Sequence, residues 1–217
     1  MELLRTANAG ILLRLDGVSI LLDGVCGKVE TFIPTPEPIL KQLQADLPDV
    51  VAFTHEHVDH FHKGFADFYQ KTTLRPILGP ETLPLEQVVD GVFRYGCVRL
   101  QAIPTRHIGK ASLQVPHRSH IIQGSKCVWF LGDASPLQIQ NRTDLPHPDV
   151  LMVPFAYTTN TTGWEIVKQL NPSHVVLLHL PPQNEDPYGL WDLVAQYTGG
   201  TSAPPLWIPE IGETIRL

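Results

Sequence analysis

Cysteine is scarce in this 217-residue chain: Cys26, Cys97 and Cys127 are the only three, and no two sit at a metal-binding spacing. An odd count argues against a disulfide framework and for a reducing, cytoplasmic setting. Cys97 and Cys127 read as structural thiols in strands, and Cys26, in a Gly-bracketed loop, as a surface-accessible one without an activating base. Long apolar runs are missing too. No stretch approaches the ~20 residues of a membrane helix, and Met1-Glu2-Leu3-Leu4-Arg5 lacks the pattern of a secretory signal. Positive charge is thin, with 16 Lys and Arg against 22 Asp and Glu and a net charge of -6. No Lys/Arg cluster forms the basic surface that phosphate neutralisation requires, which excludes nucleic acid as a partner. Internal repeats, linkers and biased tails are absent, so one domain over residues 1–217 is expected.

What is present is a globular pattern, 43% hydrophobic, with 20 prolines lying mainly between the apolar segments. Ile11 to Leu15 and Val18 to Leu22 flank Asp16-Gly17, which predicts a hairpin. Val50 to Thr54, Ile77-Leu78, Val88 to Ile103 with a break at Asp90-Gly91, Cys127 to Leu131, Val150 to Phe155 and Val175 to Leu178 read as strands. A second hairpin is expected between Ile121-Ile122 and Cys127, across Gln123-Gly124-Ser125-Lys126. Helices are expected over Pro36 to Asp46, Phe61 to Tyr69, Thr162 to Leu170 and Tyr188 to Tyr197. In the second of these, Phe61, Phe65 and Phe68 are spaced to pack inward. Strand runs interspersed with single helices fit an α+β sandwich of two packed sheets with helices outside.

The densest chemistry lies at Thr54-His55-Glu56-His57-Val58-Asp59-His60. Three imidazoles and the Asp59 carboxylate fall at a His-x-His-x-Asp-His spacing within six residues, and both groups suit zinc and its first-row neighbours. The apolar run before them places these ligands in a loop leaving a strand end, where α/β sheets carry their sites. A dinuclear metal centre is the leading expectation.

This segment resembles the metal-binding signature of the metallo-β-lactamase superfamily, and later segments fill that family's remaining positions in order. His107 follows the Val98 to Ile103 strand, Asp133 follows Gly132 after a strand, and His179 closes Val175 to Leu178. Gly212 to Leu217 resembles the closing strand of small members. The finer resemblance is to the compact hydrolase branch with ascorbate-6-phosphate lactonase-like proteins. The resemblance implies the family's αββα four-layer fold. It assigns His55, His57 and His107 to a first metal, and Asp59, His60 and His179 to a second, with Asp133 bridging both. Asp59 and Asp133 are the carboxylates it places in catalysis, beside a hydroxide held between two divalent ions. Zinc is the expected metal, with manganese or iron as alternatives.

His107 is preferred as the third ligand of the first metal, but His117 and His120 also lie between the motif and Asp133. His120 reads as lying within a strand. His117 reads as a proton shuttle or substrate contact, and Tyr157 and Asn160, in a polar loop after the Val150 strand, as substrate contacts. Asp23 reads equally as an acceptor for a ligand histidine or as a turn residue, Trp164 as helix packing, and His62 as an outer residue.

The implied activity is hydrolysis of an ester, lactone, amide or phosphoester in a small molecule. An anionic substrate remains compatible with the acidic chain, because metal ions reverse the local field. The alternatives are a mononuclear iron dioxygenase of the same fold and a non-catalytic metal-stabilised binding protein. His57 argues against the diiron oxygen-reducing type, which carries a carboxylate there. The oligomeric state is left open.

Overall fold

The computed structural model describes residues 1–29, 32–140, 142–198 and 204–217. The first sheet contains β1 (Glu2–Arg5), β2 (Ile11–Leu15), β3 (Val18–Leu22), β4 (Val50–Ala52), β5 (Ile77–Leu78), β6 (Val88–Val89) and the C-terminal strand. The second contains β7 (Val92–Tyr95), β8 (Val98–Arg106), β9 (Pro116–Gln123), β10 (Cys127–Phe130), β11 (Val150–Pro154), β12 (His174–Leu178) and β13 (Leu206–Trp207). With β14 as Thr214–Arg216, the spatial orders are β14-β1-β2-β3-β4-β5-β6 and β13-β12-β11-β10-β9-β8-β7. Each sheet is mixed: β3 to β6 and β10 to β13 run parallel to their neighbours, and the other pairs are antiparallel.

Side-chain alternation divides each central strand between two cores. Ile11, Leu13, Ile20, Leu22, Val50 and Ala52 point inward and meet Leu100, Ile122, Val128, Phe130, Met152 and Val176 of the second sheet. Leu12, Leu21, Val51 and Phe53 point outward and are covered by α1 (Glu37–Ala45) and α2 (Lys63–Thr73), through Leu43, Phe65, Ala66 and Tyr69. On the far side, Ile121, Trp129, Leu151, Val153 and Leu177 pack against Trp164 and Val167 of α3 (Thr161–Leu170) and Val194 of α4 (Leu190–Thr198). Burial on both faces is why these strands read as continuous apolar runs. The architecture is the four-layer αββα sandwich.

The Asp16-Gly17 hairpin forms as expected, with φ of 52° and 79°, the pair of positive values a type I′ turn requires. Other details differ. The helix expected from Phe61 starts at Lys63, because His62 takes the N-cap and its Nδ1 accepts from the Phe65 N–H at 3.1 Å. Phe61 is still buried, but Phe68 is 38% exposed, and Tyr69, four residues after Phe65, completes the inner stripe instead. The Val88 to Ile103 region breaks twice, at Asp90-Gly91 and again at Gly96-Cys97, so Cys97 lies exposed in a turn rather than in a strand. Cys26, expected to reach the surface, is buried, its N–H donating to Thr35 Oγ1. Strands β1 and β13 carried no sequence signal of their own; β1 forms between β14 and β2. No helix among the described residues is long and apolar enough to cross a membrane.

Candidate metal centre

The site lies where strands of both sheets end. Parallel pairing of β3 and β4 sets Asp23, just past β3, beside Thr54, just past β4. Asp23 is fully buried in a left-handed conformation, φ 45°. One of its carboxylate oxygens accepts the Thr54 N–H at 2.7 Å; the other accepts the Thr54 hydroxyl at 2.6 Å and His60 Nδ1–H at 2.8 Å. The Thr54 hydroxyl hydrogen is directed at Asp23, so at 2.9 Å the oxygen accepts from His55 Nδ1–H. One buried carboxylate thus orients two histidines, and through Thr54 it fixes the His55 tautomer and leaves a lone pair on His55 Nε2. The loop itself is tight: His60 N–H and Phe61 N–H both donate to the His57 carbonyl.

His107 follows β8, and its isolated bridge to Ala134 ties the β8 and β10 ends together. Its Nδ1 lies 2.5 Å from the Ile108 carbonyl, so Nδ1 carries the proton, and Nε2 presents a buried lone pair with no hydrogen-bond partner among the described residues. His179 follows β12 at φ 67°, where a side chain is strained, and its N–H donates to the Asn8 carbonyl. Phe32 packs edge-on against the His179 ring, centroids 4.5 Å apart. Gly132 adopts φ 54° against Thr54, where a Cβ would come within 2.6 Å of Cγ2; this brings Asp133 over the motif loop.

The donors form two groups around Asp133. His55 Nε2 and His57 Nδ1 are 3.0 Å apart, and His107 completes a triad whose ligand atoms lie within 4.8 Å of one another. On the other side, His179 Nε2 is 3.0 Å from Asp59 Oδ2 and 3.2 Å from His60 Nε2. Asp133 Oδ2 stands 3.4 Å from His60, 3.5 Å from His107 and 3.7 Å from His179, between the groups. Zinc–nitrogen bonds of ~2.1 Å place tetrahedral donors about 3.4 Å apart, so the spacing fits an ion in each group. Nε2 of His107 has no hydrogen-bond partner among the described residues.

The electrostatics agree. Burial holds the pKa of His55 well below the ordinary value, with His60 and His117 adding to it; burial and His107 lower that of His57. Neutral imidazoles are what a cation needs. Burial opposes ionisation of Asp133, but His179 and His60 outweigh it and hold the carboxyl well below its usual range. Burial also opposes the His60 charge, and the Asp133 and Asp23 carboxylates outweigh it, holding His60 well above normal.

Among the other expected residues, His117 does not line the cleft. It is 1% exposed; its Nε2 accepts the Asp133 N–H at 3.1 Å and its Nδ1–H donates to Thr105 Oγ1 at 2.7 Å. Thr105 is bonded to Ser119, which donates to the Leu131 carbonyl. With both nitrogens engaged, His117 holds the Asp133 backbone and has no lone pair left for a metal or substrate. His120 lies within β9, as its sequence context suggested, and its Nε2–H donates to the Phe53 carbonyl. Tyr157 and Asn160 are not placed at a cleft mouth either. Tyr157 is fully buried with its hydroxyl donating to the Ala134 carbonyl, because the chain turns inward in a 3-10 turn after β11. Asn160 is the N-cap of α3, accepting the Gly163 N–H at 2.8 Å. Thr54, Thr105 and Ser119 escaped the sequence reading, since nothing local distinguishes a threonine that carries a hydrogen-bond relay.

Residues 6–179 match the β-lactamase superfamily domain family. A UPF0173 protein of Pyrococcus furiosus is 28% identical over 201 residues, 85% of this chain and 86% of that protein. Among solved structures, the Igni18 metallo hydrolase of Ignicoccus hospitalis superposes with a TM-score of 0.67 at 19% identity, over 99% of this chain and 97% of that one. An isothiocyanate hydrolase from Delia radicum gut bacteria gives 0.66 at 15% identity, over 100% of this chain and 99% of that one. The chain belongs to the β-lactamase superfamily domain family and has the metallo-β-lactamase fold.

Proposed function

We propose that this protein is a metal-dependent hydrolase acting on an ester, lactone, amide or phosphoester bond of a small molecule. The observation that carries the reading is the gathering of His55, His57 and His107 on one side of Asp133 and of Asp59, His60 and His179 on the other. The first group would hold one divalent ion and the second another, with Asp133 shared; zinc suits the nitrogen-rich set best, and manganese or iron also fit. Bound there, such ions would lower the pKa of water so that hydroxide is available near neutral pH, and would polarise the bond under attack. The chain's own residues supply the rest. Asp23 orients His60 directly and His55 through Thr54, and His117 fixes the Asp133 backbone. Asp59, partly exposed beside His179, is placed to accept a proton from attacking water.

The test is metal content by mass spectrometry, scaled to protein, with turnover on ester, lactone, amide and phosphoester panels. About two zinc or manganese ions per chain with hydrolysis support the reading. About one iron per chain with oxygen-dependent activity would replace it by dioxygenase chemistry, and metal retention without any turnover by a binding role.

A further inference from the structure

A cavity of about 680 Å³, within the range of small-molecule sites, opens against the segment that follows His179. Its wall starts at Leu180, the residue after His179, and includes Ile33, next to the Phe32 ring that packs on His179. Prolines 181 and 182, Trp191 and Ile211 supply its apolar faces beside the uncharged polar Gln183 and Asn184, and the Trp191 indole is fixed by its N–H bond to the Pro181 carbonyl at 3.0 Å.

Arg5 and Glu210 are the charged residues on this wall. Arg5 is 3% exposed, and no carboxylate among the described residues is paired with its guanidinium. Its donors go to backbone carbonyls: Nε to Ala7 at 3.2 Å, one terminal nitrogen to Pro209 at 2.7 Å, the other to Asn8 at 2.8 Å and Leu180 at 2.9 Å. Four of the five guanidinium N–H groups are thereby committed to holding the N-terminal, His179 and C-terminal segments together. The planar fork that would grip a phosphate or carboxylate is not free. Glu210 adds a negative charge that would repel either anion.

Resting on the hydrolase reading, we propose that this cavity seats an uncharged, apolar acyl or alkyl portion of the substrate, making the substrate a neutral carboxylic ester, lactone or amide rather than a phosphoester or other anion. The Ile33, Pro181, Pro182, Trp191 and Ile211 faces would bury the hydrocarbon, with the reacting carbonyl at the Leu180 end of the cavity, next in the chain to His179. The phosphate that the lactonase-like resemblance would require finds no free cation among the described residues of this wall.

Calorimetric binding of hydroxamic acids to the zinc-loaded protein tests this without turnover. Acetohydroxamic and octanohydroxamic acids share the metal-binding head; suberic monohydroxamic acid adds a carboxylate at the tail. Affinity is expected to rise on the order of tenfold to hundredfold from the two-carbon to the eight-carbon acid, and to fall again with the carboxylate tail. Ile33→Lys, at a half-buried wall position, is expected to narrow the gap between neutral and anionic tails. Equal affinity for the short and long acids would overturn the cavity as the substrate seat, with the metal site still standing. Tighter binding of the carboxylate tail would overturn the neutral substrate class. A protein that holds zinc but binds none of the three acids would also overturn the proposal, and one that holds no zinc would overturn the hydrolase reading with it.

Discussion

The Asp23 carboxylate lies 2.8 Å from His60 Nδ1 and, through the Thr54 hydroxyl, reaches His55 as well, so one buried side chain orients a ligand in each of the two groups. Asp23→Ala is expected to weaken metal binding by about 10–100-fold, the usual loss when the outer partner of a ligand histidine is removed. Competition against a fluorescent chelator reads this directly. Unchanged affinity would show that the ligand histidines are held by other contacts.

Removing metal should destabilise the fold, since an ion that binds the donors gathered in the folded chain and not the unfolded chain stabilises by mass action. Metal at 100 times its dissociation constant contributes about 2.7 kcal/mol. For a chain of this size that corresponds to a Tm lower by about 5–10 °C after chelation, restored on reloading. An identical melt with and without metal would contradict the convergent site.

Metal binding should also release protons. His60 is held protonated by Asp133 and Asp23, and an ion at its Nε2 must displace that proton. Affinity is therefore expected to fall as pH is lowered, and binding heats to scale with the ionisation enthalpy of the buffer. Heats independent of the buffer would mean that His60 binds as the neutral imidazole.

His57→Ala is expected to remove the first ion and the hydrolytic activity while the fold persists, because His57 is only partly buried and sits in a loop. Metal analysis and circular dichroism together check both halves. An unchanged metal content would remove His57 from the ligand set.

His107 and His117 should separate cleanly. His107→Ala deletes a lone-pair donor and should lower metal content, whereas His117→Ala leaves every ligand in place and orphans the Asp133 N–H. That orphan costs about 1–3 kcal/mol, read as a lower denaturation midpoint with metal stoichiometry retained. Loss of a metal ion in His117→Ala alone would reverse the two assignments.

Much of this molecule is legible from local pattern. The His55–His60 cluster, the strand runs and the Asp16-Gly17 turn are encoded within a few residues, where ligand chemistry, β-branched composition and backbone sterics act directly. The order of His107, Asp133 and His179 after their strands was readable for the same reason. Choosing among His107, His117 and His120 was not a local matter. All three are histidines on or beside two paired strands, and what separates them is which ring nitrogen finds an acceptor, a carbonyl or an N–H brought from elsewhere in the chain. Tyr157 and Asn160 show the same limit: a polar loop after a strand reads as a cleft mouth, but the 3-10 turn and the α3 cap consumed their polar groups. The sequence by itself determined the sandwich class and the metal-ligand chemistry, because periodicity and residue type are local properties. Tertiary structure alone decided the tautomers, the hold of His117 on Asp133 and the commitment of Arg5 to four carbonyls, because hydrogen-bond partners far apart in the chain meet only when the sheets close.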